Sequence, residues 1–164
     1  SIKKITRVDE LVKIIKGNKK KKFPSKINPC TKTFQALRIF VNKEISELIH
    51  GIITATKLLK PGGKILIISF HSLEDKIIKF FFNNYSYNKS MPSRYLPEIE
   101  NENAVLFEKY RNQVIKPSRE EIINNNRSRS AKLRFATRSK NQFFYPEKLV
   151  KKFNKYLNIE EIYG

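Results

Sequence analysis

Apolar positions recur along this chain with two different periods, and the points where one gives way to the other mark its elements. The clearest helical period covers about Asn42 to Leu59, with Ile45, Leu48, Ile49, Ile52, Ile53 and Leu59 on one broad face. Lys60-Pro61-Gly62-Gly63 breaks it. Ile65 to Ile68 is then an unbroken apolar run, as expected of a strand covered on both faces. Beyond it Ser72-x-x-Asp75 has the spacing of a helix cap. Leu73, Ile77, Ile78, Phe81 and Phe82 carry the helical period on to about Tyr85, and Asp75 and Lys79 are placed to pair at i, i+4. Helix, glycine turn, buried strand and helix form one wind of an open α/β sheet. Ligands of such sheets bind beyond the carboxyl ends of the strands, which puts Ser69, Phe70, His71 and Ser72 on the candidate ligand edge.

The flanks read in the same way. Thr6-x-x-Asp9 precedes a short helix, Val8 to Lys16, with Leu11, Val12 and Ile15 on one face and Gly17-Asn18 at its end. Lys19 to Lys22 is a basic loop. Pro29 keeps Asn28 extended, and Thr31 or Thr33 then caps a helix to about Val41. Phe34, Leu37 and Val41 stripe one face of it, and Thr31, Gln35, Arg38 and Asn42 recur on another. Tyr87 to Asn103 has no period and reads as a long loop. Ala104 to Lys109 and Gln113 to Lys116 read as short strands, and Ser118-x-x-Glu121 opens a helix of one or two turns that Asn124 to Asn126 ends. Arg127-Ser128-Arg129-Ser130 leads into a strand, Ala131 to Thr137, with Leu133 and Phe135 on one side and Lys132 and Arg134 on the other. A last helix covers Pro146 to Leu157, with Leu149, Val150 and Phe153 inward.

Composition adjusts this picture in a few places. A chain of 164 residues is one ordinary domain, or a large piece of one, and it opens on Ser1 rather than Met, as a processed product or a fragment would. The single cysteine, Cys30, excludes an intramolecular disulfide framework and reads as a small buried hydrophobe. No apolar run approaches the roughly 20 residues of a membrane span, so no membrane partner is expected. His50 falls off the buried face of its helix and reads as a surface histidine. Gly51 costs that helix about 1 kcal/mol relative to Ala, which close packing would explain.

The net charge of +19 is spread unevenly, with +12 over residues 1–64, 0 over 65–126 and +7 over 127–164. Basic flanks around a neutral middle suit a polyanion such as nucleic acid, although the coding bias of an AT-rich genome also enriches lysine. The Arg127 to Ser130 run suits bidentate phosphate contact as well as it suits a solvated strand entry.

Three separated stretches together resemble the ribosomal RNA small subunit methyltransferase H (MraW) family. The first is Asn28-Pro29-Cys30-Thr31-Lys32-Thr33-Phe34-Gln35-Ala36-Leu37-Arg38-Ile39 with Val41-Asn42-x-Glu44. The second runs from Pro61-Gly62-Gly63 through Ser69-Phe70-His71-Ser72-Leu73-Glu74-Asp75. The third is Lys116-Pro117-Ser118 with Glu120-Glu121-Ile122, then Asn126 to Arg134. The glycine turn alone marks only a class I methyltransferase, whereas the set in this order is specific. The resemblance covers about Ile27 to Thr137, with Tyr87 to Asn112 diverged. The family usually has His where Asn28 stands and Arg where Lys32 stands, swaps that bear on RNA contact rather than on fold.

The resemblance implies the C-terminal half of an S-adenosylmethionine-dependent enzyme that methylates N4 of a cytidine in the decoding region of 16S rRNA. The implied fold is α/β, a partial Rossmann-like class I methyltransferase sheet with the end of an inserted helical domain. Residues 1–32 would be the tail of that substrate-recognition domain, 33–138 the C-terminal part of the Rossmann-like domain, and 139–164 a basic, aromatic-rich tail. Ser69 and His71 are the catalytic candidates on the pocket wall. Gln35, Arg38, Phe70, Ser72, Arg127, Arg129 and Lys132 are the candidates for substrate and RNA contact. The S-adenosylmethionine site would lie mostly upstream of Ser1, because the family's glycine-rich loop and acidic ribose-binding residue are absent. The chain alone would then be inactive. The implied partner is small-subunit rRNA or the 30S particle, in the cytoplasm, with no metal. A non-catalytic basic RNA-binding or ribosome-associated protein is the alternative.

Overall fold

A computed structural model of the chain describes residues 4–18, 28–87, 105–108 and 110–163. The lysine run at 19–22 and nearly all of the long loop expected from Tyr87 onward lie outside the described residues. The chain divides into two compact units, residues 1–44 with 159–164, and residues 45–158.

The first unit contains α1 (Val8–Asn18) and α2 (Thr31–Val41). Helix α1 runs on through Gly17 and Asn18, and the Asn18 side-chain amide donates to the Ile14 carbonyl at 2.9 Å. Cys30 is buried, as expected, and precedes α2 without a side-chain cap. The apolar stripe of α2 does not form a core: Leu37 and Val41 stand exposed. Three residues beyond α2, Glu44 holds the Arg38 guanidinium, which donates through Nε at 2.8 Å and Nη2 at 3.2 Å.

The second unit holds most of the core. Helix α3 (Glu44–Leu58), strand β1 (Lys64–Ser69) and helix α4 (Ser72–Tyr85) reproduce the helix, turn, strand and helix expected. The turn between α3 and β1 depends on its glycines. Gly62 has φ +79°, a conformation that a Cβ penalises, and a Cβ on Gly63 would meet the Leu59 side chain at 2.8 Å. Gly51, by contrast, has nothing within 4 Å of its would-be Cβ, so close packing does not account for it. His50 is exposed, as expected.

Strand β2 (Lys132–Thr137) pairs antiparallel with β1 in the register Lys64–Thr137 to Ser69–Lys132. The two expected strands around it are reduced to isolated bridges, Phe107 to Arg138 and Ile115 to Leu133, along the outer edge of β2. Between those bridges Asn112 takes φ +54°, in the left-handed region. Helix α5 (Arg119–Asn124) begins at Ser118, whose hydroxyl accepts from the Glu121 N–H at 3.1 Å, and a 3-10 turn (Asn126–Ser130) delivers the chain into β2.

Strand β1 is not covered on both faces among the described residues. Ile65 and Ser69 are buried, but Leu66 and Ile68 stand exposed. An unbroken apolar run here therefore marks a strand with one covered face and one open one.

An aromatic cluster forms the centre of this unit. Phe81 and Phe82 on α4 meet Phe107 edge-on at 5.3 and 5.2 Å, Phe82 also contacts Tyr110 at 5.2 Å, and Phe80 meets Phe153 at 5.6 Å. Phe153 lies on the last helix, α6 (Glu147–Tyr163), where Leu149 and Leu157 are buried with it and Val150 is half-buried. Phe144 contacts Tyr85 at 5.9 Å, and the Leu149 N–H donates to the Tyr85 hydroxyl at 3.3 Å. Phe144 and Phe153, both after residue 138, thus complete the core against α4. Each such edge-on pair adds about 0.5–1.5 kcal/mol to the area it buries.

Candidate functional site

Two chain segments meet at one end of the β1–β2 ladder. Ser69 ends β1 and lies opposite Lys132, which begins β2. The 69–72 turn and the Arg127–Lys132 approach to β2 are therefore neighbours, although some 60 residues separate them in sequence. Gln35 and Arg38 belong to the other unit, where Gln35 is half-buried on α2 and Arg38 is bound by Glu44.

The turn is held by a capping box that begins one residue earlier than the Ser72-x-x-Asp75 spacing suggests. His71 is the N-cap of α4, and its Nδ1 accepts from the Glu74 N–H at 3.3 Å. The Glu74 carboxylate reaches back and accepts from the Phe70 N–H at 2.8 Å and the His71 N–H at 3.2 Å. Accepting at Nδ1 leaves the ring proton on Nε2, which lies 3.4 Å from the other Glu74 oxygen. His71 is thus occupied in shaping the turn, with only 7% of its side chain exposed. Ser69 is also buried, its hydroxyl 3.5 Å from the Lys132 carbonyl. Phe70 and Ser72 are the members of the turn that face solvent.

Behind the turn lies a charge network that the helical spacing of α4 did not reveal. Asp75 bonds to the strand rather than to Lys79. Arg134 donates to its Oδ1 through Nε at 2.7 Å, and Lys132 donates to its Oδ2 at 2.9 Å. Arg134 continues through Nη1 to the Tyr110 hydroxyl at 2.9 Å and the Asn112 side-chain oxygen at 3.1 Å. Burial raises the pKa of Asp75, but the bonds and charges of Arg134 and Lys132 outweigh it and hold the carboxyl below its ordinary value. Burial pulls Arg134 down, and Asp75 and Tyr110 push it above its ordinary value. Both partners stay charged. The alternation of Lys132 and Arg134 on one side of β2 was the available signal, and it pointed inward to a carboxylate rather than outward to solvent.

Lys132 therefore arrives at the candidate RNA surface already bound to Asp75. Arg127 and Arg129 remain exposed on the 3-10 turn, Arg129 donating to the Asn126 carbonyl at 3.1 Å. A shallow cleft along β2 is lined by Tyr110, Arg111, Gln113, Phe135, Ala136 and Thr137, and none of the candidate catalytic or RNA-contact residues borders it.

The described residues do not by themselves fit a whole S-adenosylmethionine molecule. At the N-terminus of α4, where a cofactor carboxylate would find backbone N–H groups, Glu74 already places a carboxylate of the chain's own. The Gly62-Gly63 turn lies at the opposite end of β1, with Leu59 filling the space that a backbone cradle would leave open. No helix among the described residues is long and apolar enough to cross a membrane.

Known proteins place this arrangement. The sequence model of the MraW methylase family matches residues 1–139. The ribosomal RNA small subunit methyltransferase H of Ehrlichia canis is 47% identical over 132 residues, 80% of this chain and 41% of that protein. The protein of the same name from Bartonella henselae is 44% identical over 127 residues, 77% of this chain and 36% of its own length. The one from Xanthobacter autotrophicus is 42% identical over 135 residues, 82% of this chain and 38% of its own length. The chain thus spans about two fifths of the length of these relatives. With the family match over 1–139 and the Ser69–Asp75 turn folded as one capped unit, the chain belongs to the MraW methylase family.

Proposed function

We propose that the chain is the C-terminal part of an S-adenosylmethionine-dependent methyltransferase that modifies N4 of a cytidine in the decoding region of small-subunit rRNA, acting on the 30S particle in the cytoplasm. The observation that carries this reading is the family match over residues 1–139 to proteins named for rRNA methylation. The fold reading goes with it: residues 33–138, with β1 and β2, are the C-terminal part of a Rossmann-like domain, and residues 1–32 end an inserted helical domain. S-adenosylmethionine, held mostly by residues upstream of this chain, would supply the electrophilic methyl group.

This chain's own residues bind and position. Phe70, exposed at the end of β1, offers a ring against which an unstacked base can rest, and Ser72 offers a hydroxyl beside it. Glu74 and His71 fix the backbone of that turn, so Phe70 is presented in one orientation. Ser69 lines the base of the pocket wall from its buried position. Arg127 and Arg129 supply guanidinium groups for phosphates next to the target, with Lys132 adding charge while it stays on Asp75. Gln35 and Arg38 support the substrate-recognition side. His71 acts as a positioning residue, since its Nδ1 lone pair already accepts a backbone N–H.

Nucleoside analysis of small-subunit rRNA from the encoding organism tests the proposal. Inactivating the gene should remove N4-methylated cytidine from the decoding region, and restoring the complete reading frame should return it. An unchanged nucleoside profile after inactivation would overturn the reading.

A further inference from the structure

The family match ends at residue 139, and α6 (Glu147–Tyr163) lies wholly beyond it. Up to Asn158 this helix has two faces. Leu149, Phe153 and Leu157 are buried, with Phe153 edge-on to Phe80 and the Leu149 N–H on the Tyr85 hydroxyl. Lys148, Lys151, Lys152 and Lys155 are exposed, and their spacing of three and four puts them on one strip of the outer surface. Helix stability does not account for the strip. Lys148 with Lys152, and Lys151 with Lys155, are like charges at i, i+4, an arrangement that weakens a helix. The helix dipole favours cations at the C-terminal end, yet the last turn of α6 holds no basic residue and the lysines stand in its first half. Among the described residues one acid meets the strip, Glu147 at 3.3 Å from Lys151. A surface that repels itself in this way is complemented by a polyanion. The contacts of α6 with α4 run in reverse order, Leu149 to Tyr85 and Phe153 to Phe80, so the two helices are antiparallel. From Lys148 to Lys155 the strip therefore advances along α4 toward the turn that presents Phe70. Phe80 stands eight residues from Ser72, about 12 Å of helix.

We propose that the lysine strip of α6 binds the phosphate backbone of an RNA duplex, a second contact with small-subunit rRNA apart from Arg127 and Arg129. The proposal rests on the reading of the substrate as rRNA. Ammonium groups are point charges that hold phosphates without reading bases. The one ring beside them, Tyr156, is half-buried, with Lys155 Nζ 4.9 Å from its centroid. A charged strip without an exposed ring offers no platform for unpaired bases, which favours paired RNA over a single strand. An anionic membrane is the poorer fit, because the apolar face with which an interfacial helix enters lipid is already buried against α4.

The test titrates a labelled RNA duplex of about 16 base pairs with the full 164-residue chain and follows fluorescence anisotropy over a salt series. One variant combines Lys151→Gln, Lys152→Gln and Lys155→Gln. A second combines Lys57→Gln, Lys60→Gln and Lys64→Gln, all exposed, and so removes the same charge from another surface. The α6 variant is expected to bind the duplex at least tenfold more weakly, with the slope of log K against log salt lowered by about 2–3. The second variant should stay within about threefold of the unaltered chain, since charges away from the contact are screened. Circular dichroism should be the same for all three proteins. Equal losses in the two variants, or none in either, would overturn the proposal. A single strand of the same length held as tightly as the duplex would overturn it in favour of unpaired RNA. Polyglutamate that competes as well as unlabelled duplex would overturn it in favour of an acidic protein. The nucleoside profile of small-subunit rRNA keeps the two readings apart. Duplex binding through α6 with a profile unchanged by gene inactivation counts against the enzyme alone. A profile that depends on the gene, with both variants binding equally, counts against the α6 contact alone.

Discussion

Asp75 shows how much one side chain organises near the candidate site. It is the one carboxylate that Lys132 and Arg134 share, and Arg134 extends the network to Tyr110 and Asn112. Removing one partner of a largely buried pair leaves the others uncompensated, so Asp75→Asn is expected to cost about 3 kcal/mol in urea unfolding at neutral pH. The pKa of Asp75 is lowered in the folded state, so its contribution is complete above the ordinary carboxylate range and is lost as the pH falls through the folded value. The gap between wild type and Asp75→Asn should therefore narrow on acidification. A gap that stays constant down to acid pH would show that the carboxylate's charge is not what stabilises the network. From sequence, Asp75 pairs with Lys79 on its own helix. That local spacing loses to two cations supplied by a strand nearly 60 residues away, a contact that only the register of β1 against β2 creates.

At the scale of elements, the helices and strands were legible wherever an apolar period ran long enough, and less so where ends depend on single side chains. Helices α3 and α4 and strands β1 and β2 stand within a residue or two of the expected bounds. The cap of α4 does not, because Ser72-x-x-Asp75 and His71-x-x-Glu74 share the same spacing and only the backbone geometry of the turn selects the second. Glu74→Ala should cost about 1 kcal/mol through loss of the box. It should also speed hydrogen exchange at the Phe70 and His71 amides, and unchanged protection there would remove Glu74 from its positioning role. Of the expected strands at 104–109 and 113–116, the described residues show isolated bridges at Phe107 and Ile115, with Asn112 left-handed between them. Gly51 offers a cleaner contrast. It is exposed within α3 with nothing near its would-be Cβ, so Gly51→Ala should raise stability by about 0.5–1 kcal/mol in thermal unfolding. Destabilisation would restore the packing role read from sequence.

For the whole molecule, identity was more legible than the site. The motifs from Asn28 to Arg134 indicated the family, and a family match covers residues 1–139. The roles of individual residues were harder to read, because exposure and hydrogen bonding depend on the assembled sheet: Ser69 and His71 turn out to be enclosed, and Lys132 is bound to Asp75. Of the aromatics after residue 138, Phe153 was legible as inward from its helical period, whereas Phe144 had no reading in sequence and is explained by its contact with Tyr85. On the proposed reading, this chain carries the substrate-side wall of a methyltransferase without the cradle for its methyl donor. Calorimetric titration of the 164-residue chain with S-adenosylmethionine tests it most directly. No binding heat is expected up to millimolar ligand, whereas saturable binding in the micromolar range would contradict that reading.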